Sequence, residues 1–417
     1  MPLPNPLSLF RQTTFRHFYI ARTSSLLGNM MLPVALAFAV LEGGYSASVL
    51  GQVVACYSAA LLIFLVAGGI IADRFPRSNV LRVSFASTAA LQALLAYLFI
   101  RELAEPLQMA SVVFATGAVS AFTLPAMQGI VPQLVDADSL QEANVLVSFS
   151  RSAAMVLAPI FVGLVAGSAG AGWAVLAGAM TWLVGFAAIA RLHIPEPSKS
   201  AATIMDDLRH GWSEFICRRW LVTVTVVFSI VNAIRIGAWI VLGPVLSKAH
   251  DAIGLTGWSY ILTAEAVGVV ATAIVLLKYE ISRPLLLGLA GLSVLAAPLA
   301  LLSLGAPIWA LCLAAFCAGA GTELSLTGWQ VAMMENVPQH ALSRVSSYDM
   351  LGSYLAIPIG SFFFGWIVAF VPPERVVMWA ALTYALACTA ALTSREVRTL
   401  GRRTIRSTPE HASPGLP

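Results

Sequence analysis

Gly69-Ile70-Ile71-Ala72-Asp73-Arg74-Phe75-Pro76-Arg77 closes one long apolar run, residues 49–72, and opens another, residues 80–100. Each run is long enough to cross a hydrocarbon core about 30 Å thick. The junction between them is short and carries Asp73 with two bases, Arg74 and Arg77. A tight, positively charged turn between two spans belongs on the cytoplasmic face, because Lys and Arg are retained there. That single assignment orients every other segment.

Working outward, the composition excludes a water-soluble domain: of 417 residues, 59% are hydrophobic and 11% charged. Twelve candidate spans follow one another, at residues 18–41, 49–72, 80–100, 107–131, 140–166, 173–192, 220–246, 255–277, 285–304, 307–334, 342–370 and 376–393. The odd-numbered gaps hold few bases, namely Arg101, Lys248 and Arg375. The even-numbered gaps and both ends hold the rest, among them Arg11, Arg16, Arg82, Arg191, Arg218, Arg219, Lys278, Arg283, Arg344 and the run from Arg395. Both termini are therefore expected in the cytoplasm, in a bacterial cell membrane, with the first span acting as an uncleaved insertion signal.

The sixth gap divides the chain into residues 1–192, a cytoplasmic linker at 193–219 and residues 220–394, with a basic, disordered tail at 395–417. Within the linker, Leu208, Trp212 and Phe215 are spaced as one face of a short amphipathic helix. A faint repeat relates the two sets of six spans. Val131-Pro132-Gln133 matches Val337-Pro338-Gln339, and Pro159 with Gly163 in span five is echoed by Pro358, Gly360 and Gly365 in span eleven. Parallel repeats about an axis along the membrane normal are a known transporter architecture.

The pattern Gly69-x-x-x-Asp73-Arg74-x-x-Arg77 resembles the loop between the second and third spans of major facilitator transporters. Further stretches resemble the branch that contains enterobactin exporters and macrolide or drug efflux pumps. These are Pro125-Ala126-Met127-Gln128-Gly129-Ile130-Val131-Pro132, Asp207-Leu208-Arg209-His210-Gly211-Trp212, and Arg344-Val345-Ser346-Ser347-Tyr348-Asp349 leading to Pro358-Ile359-Gly360. The resemblance covers almost the whole chain. It implies an all-α integral membrane fold of twelve transmembrane helices in two pseudo-symmetric six-helix halves. It also implies export, protons as coupling ion, a small-molecule substrate, and a monomer in the lipid bilayer without nucleic acid. Three departures stand out: Ser78 replaces a base, Pro125 replaces an arginine of many proton-coupled exporters, and the Gly-Pro signature of span five is reduced to Ala158-Pro159.

Site residues follow from the same two sources. Gly69, Asp73, Arg74, Arg77, Arg344 and Asp349 are expected to form a cytoplasmic gate, with Asp73 accepting from helix N-terminal amides and the arginines binding carboxylates or carbonyls. Charges that only enforce topology, and for Asp349 a helix-stabilising role, are the alternatives. Spans one, four, seven and ten line the cavity in the resembling family, so Asn29, Gln128, Asn232, Arg235, Glu323 and Trp329 are substrate or proton candidates. Arg235 and Glu323 form either a structural pair or the proton-handling unit. Arg22 is expected to reach the interface.

Arg151 lies eleven residues into span five and Glu265 ten into span eight. At 1.5 Å per residue these are roughly 16 and 15 Å, so both reach the midplane from opposite faces. They are expected to pair between the halves; a partner within its own half is the alternative for each.

No enzyme motif is present: there is no phosphate-binding G-x-x-x-x-G-K-[ST], the six histidines are scattered and the five cysteines lack ligand spacing. No cofactor is expected. Three classes remain: an exporter of amphipathic drugs or secondary metabolites, a dedicated siderophore exporter, and an importer or receptor. A siderophore pump calls for net positive cavity charge. Arg235 and Glu323 cancel in this count, which ranks the amphipathic exporter first.

Overall fold

The structure is a computed structural model that describes residues 6–128, 130–135, 139–192, 213, 215–279, 281, 283–337, 339–394 and 397. Among them are twelve helices long and apolar enough to cross a membrane. In chain order they are α1 (Thr13–Glu42), α2 (Ala47–Arg74), α3 (Arg77–Ile100), α4 (Pro106–Gln128), α5 (Leu140–Ala169) and α6 (Ala171–Ala190). The second set is α7 (Arg219–Ala249), α8 (Gly254–Leu276), α9 (Pro284–Ser303), α10 (Ile308–Asn336), α11 (Gln339–Ile367) and α12 (Pro373–Thr393). Large apolar side chains such as Leu107, Leu277 and Leu386 are exposed on the outside of the bundle, where a lipid-facing surface accepts them.

Local chemistry sets the helix ends. Ser46 caps α2, its hydroxyl accepting from the Val49 amide. The helix stops at Phe75, which is extended (φ −110°, ψ 152°) because Pro76 follows and disfavours the helical region. α3 begins at once with Arg77, so the junction is as short as the apolar pattern predicts. Other boundaries differ: α1 begins at Thr13, earlier than expected, because Phe15 and Phe18 are fully buried and extend the packed stretch. α7 contains a π-helical stretch, Arg235–Val241, that hydropathy cannot reveal. The expected amphipathic helix lies largely outside the described residues; Phe215 is buried against Tyr348, with ring centroids 6.2 Å apart.

Helix packing repeats between the two sets. In the first, α2 lies on α4, α1 on α5 and α3 on α6; in the second, α8 lies on α10, α7 on α11 and α9 on α12. The closest crossings also correspond. Gly117 of α4 sits on the Tyr57 carbonyl of α2, and Gly319 of α10 on the Glu265 carbonyl of α8. A Cβ at either glycine would overlap a backbone oxygen, so small residues let these helices approach.

The sets meet through α2 on α11 and α5 on α8. Their close contacts lie toward one end, called here the far end, away from the chain termini. A Cβ on Gly51 would be 2.5 Å from the Ser361 carbonyl, and one on Gly163 would be 2.5 Å from Ser259 Oγ. Lys248 of α7 donates to the Leu41 carbonyl near the end of α1. Toward the other, near end, α5 and α8 border a 780 Å³ fissure lined by Asn144, Val145, Phe149, Ile274 and Leu277. Among the described residues, the close contacts between the halves lie at the far end.

Candidate functional site

Glu265 of α8 is the first charge to place. It is buried, and its Oε1 lies 2.7 Å from Arg235 Nη1, while Oε2 accepts from Trp239 Nε1 at 2.8 Å. Arg235 and Trp239, four residues apart and so on one face of α7, lie in its π-helical stretch. The inter-half pair expected between Arg151 and Glu265 is therefore not made. Glu265 is satisfied within its own half, where a buried carboxylate finds both a cation and a neutral donor. The pairing of Arg235 with Glu323 is not made either, since Arg235 is already engaged.

Asp349 of α11 is a second buried acid. Its Oδ1 accepts from Thr225 Oγ1 at 2.7 Å and Ser353 Oγ at 3.3 Å, and its Oδ2 from Trp329 Nε1 at 3.0 Å. Three helices of one half, α7, α10 and α11, are joined at this carboxylate. Among the described residues, those partners all belong to Asp349's own half. Trp329 itself packs edge-on against Trp220 and Phe228 at 5.7 and 5.3 Å.

Beside this hub lies a 430 Å³ cavity whose walls include Phe228, Asn232, Trp329, Met333, Asp349 and Tyr354. Asn232 also donates to the Ser353 carbonyl at 3.1 Å, which orients its amide. The lining is aromatic and methionine-rich with a few fixed polar groups, the usual make-up of a small-molecule site.

Glu323 of α10 stands apart from this hub. It accepts from Thr327 Oγ1, one turn on, at 3.3 Å. The cation within its electrostatic range is Arg151 of α5, which is exposed in the gap and also acts on Tyr354 and on Arg22 of α1. The segment holding these two arginines is pinned by Thr23 Oγ1 donating to Ser150 Oγ at 3.0 Å, and Ser150 donating to the Tyr19 hydroxyl at 2.6 Å.

Of the remaining candidates, Asn29 is half-buried on α1 and Arg77 half-buried at the start of α3. The side chains of Gly69, Asp73, Arg74, Gln128 and Arg344 lie outside the described residues. The structure thus brings Asn232, Trp329 and Asp349 together and separates Arg235 from Glu323. It adds Thr225, Phe228, Trp239, Ser353 and Tyr354. Thr225, Phe228, Asn232 and Arg235 recur at helical spacing along α7, and that stripe was the available signal. Among the described residues no three His, Cys, Asp or Glu side chains are grouped to hold a metal.

Known proteins share this arrangement of helices. A bacterial homologue of the human lysosomal transporter Spinster, solved in an inward-facing and unoccupied conformation, superposes with a TM-score of 0.73 at 12% identity, covering 97% of this chain and 100% of that one. The nucleoside transporter NupG also gives 0.73, at 15% identity, over 92% and 100% of the two chains. At such identities the likeness is one of fold. Among curated proteins, the staphyloferrin A transporter of Staphylococcus aureus is 28% identical over 152 residues, which is 36% of this chain and 38% of that protein. The sequence profile of the Major Facilitator Superfamily matches residues 18–361. This chain is a multi-pass membrane transporter belonging to the Major Facilitator Superfamily.

Proposed function

We propose that the protein is a secondary active transporter that exports amphipathic small molecules, drugs or secondary metabolites, by alternating access with protons as coupling ion. The observation that carries this reading is the 430 Å³ cavity: Trp329, Phe228 and Met333 offer an apolar wall, while Asn232 and Asp349 supply fixed polar groups. With the near end assigned to the cytoplasm by the positive-inside rule, that cavity loads from inside the cell. Both termini are then cytoplasmic, in a bacterial cell membrane, and the working unit is the monomer. The gate motif around Asp73, Arg74 and Arg77 would close the near end in the opposite state.

Glu323 is assigned the proton, with Arg151 rather than Arg235 as the charge it answers to. In inverted membrane vesicles energised with an acidic lumen, the wild-type protein is expected to accumulate an amphipathic fluorescent dye uphill. Glu323→Gln is expected to abolish uphill accumulation and flatten its pH dependence. Uphill transport with an unchanged pH profile in that variant would remove Glu323 from coupling, and dye movement in the opposite sense would make the protein an importer.

A narrower second reading is export of a siderophore. It is favoured by the similarity to the staphyloferrin A transporter.

A further inference from the structure

The 430 Å³ cavity is walled by one set of helices: Phe228 and Asn232 come from α7, Trp329 and Met333 from α10, Asp349 and Tyr354 from α11. Among the described residues, Asp349 carries the one formal charge on those walls, with no Lys, Arg, His or second carboxylate beside it. It is buried, inside the apolar span 345–367.

Glu265 and Asp349, the two buried acids among the described residues, are built alike up to a point. Each accepts from a tryptophan indole, Glu265 from Trp239 at 2.8 Å and Asp349 from Trp329 at 3.0 Å. Glu265 adds Arg235 at 2.7 Å and is not part of the cavity wall. Asp349 instead adds the hydroxyls of Thr225 and Ser353, at 2.7 and 3.3 Å, so its partners among the described residues are all neutral. A carboxylate offers about four lone-pair positions, and three donors leave room for another.

A buried carboxylate that meets dipoles but no cation keeps part of its desolvation cost, and a cation entering beside it removes that cost. A lone carboxylate among aromatic neighbours does not suit a metal ion, which calls for several oxygen ligands. It suits an organic cation. Aromatic rings, here those of Phe228, Trp329 and Tyr354, attract ammonium groups that have shed their water, and methionine adapts to apolar bodies of varied shape.

We infer that Asp349 binds an ammonium group on the cargo, so that the transported class is amphipathic amines whose apolar body lies against Trp329, Phe228 and Met333. The inference rests on the reading of this cavity as the cargo site, but not on the direction of transport. The ammonium site is complete within one half, so equilibrium binding to purified protein tests it.

Three fluorescent probes share a dansyl group on one pentyl chain. Dansylcadaverine ends in an ammonium, its N-acetyl derivative in a neutral amide, and N-dansyl-6-aminohexanoate in a carboxylate. The wild type is expected to bind the ammonium probe about tenfold tighter than the amide, and the carboxylate weakest. Asp349→Asn should bring the ammonium-to-amide ratio close to one, and Asp349→Glu, which restores the charge, should recover part of it. A merely structural acid would change both affinities alike. Should Asp349→Asn fail to fold, as its melting temperature in detergent would show, the wild-type series decides alone. Equal affinity for the three probes would overturn the amine assignment and leave the cavity as a cargo site. Tightest binding of the carboxylate would overturn it in favour of an acidic cargo, and a preference that survives Asp349→Asn would place the ammonium elsewhere. Binding of no probe would overturn the assignment and the cavity reading together. An amine preference without uphill efflux of the amine would support the inference and count against the export reading alone.

Discussion

Glu265 divides its oxygens between Arg235 and Trp239, and no third partner is needed. Removing one member of such a buried pair leaves a charge without compensation, at a cost of about 3–5 kcal/mol. Arg235→Gln and Glu265→Gln are each expected to lower the melting temperature in detergent markedly, and the double change to recover much of the loss; strictly additive losses would show that the two do not act as a pair. The reason sequence assigned Glu265 to Arg151 is physical. Depth along a helix follows from a fixed rise, and the midplane position of both residues is legible in that way. Azimuth is not, because which face of α7 meets α8 is set by packing, and Arg235 and Trp239, four residues apart on that face, both reach Glu265. Trp329 and Asn232 were legible as polar or aromatic residues inside apolar spans. The partners of Asp349 were not, since Thr225 and Ser353 are unremarkable residues until three helices are packed together.

At the scale of elements, the far-end seal between α2 and α11 depends on the absence of a side chain at Gly51. Its Cα approaches Ser361 and Gly365 closely enough that any larger residue must displace α11 backbone. Gly51→Leu is therefore expected to wedge the seal and favour the state open at the far end. A single cysteine replacing Ser361, which is fully buried, in a background without native cysteines reports this. Its labelling by a membrane-impermeant maleimide should accelerate several-fold when Gly51→Leu is added; an unchanged rate would mean that the seal lies elsewhere. The helices themselves were legible because about twenty apolar residues in succession admit no other reading. The sharp turn at Phe75-Pro76 was legible too, as proline ends a helix before it. Which faces meet was not, since glycines at crossings such as Gly319 on the Glu265 carbonyl look like any other glycine in a span.

For the molecule as a whole, two packed sets of six helices were foreshadowed by the repeated prolines of spans five and eleven, both of which lie inside their helices, Pro159 in α5 and Pro358 in α11. The cargo was the least legible feature, because it depends on which charges neutralise one another. Arg235 is the example: it reads as a cavity charge until Glu265 takes it up. Each set of six is knitted backbone to backbone at corresponding places, Gly117 on the Tyr57 carbonyl and Gly319 on the Glu265 carbonyl. Joints without an intervening side chain cannot slide without a clash, so a change of state would turn each set as a rigid body and concentrate its motion where α2 meets α11 and α5 meets α8.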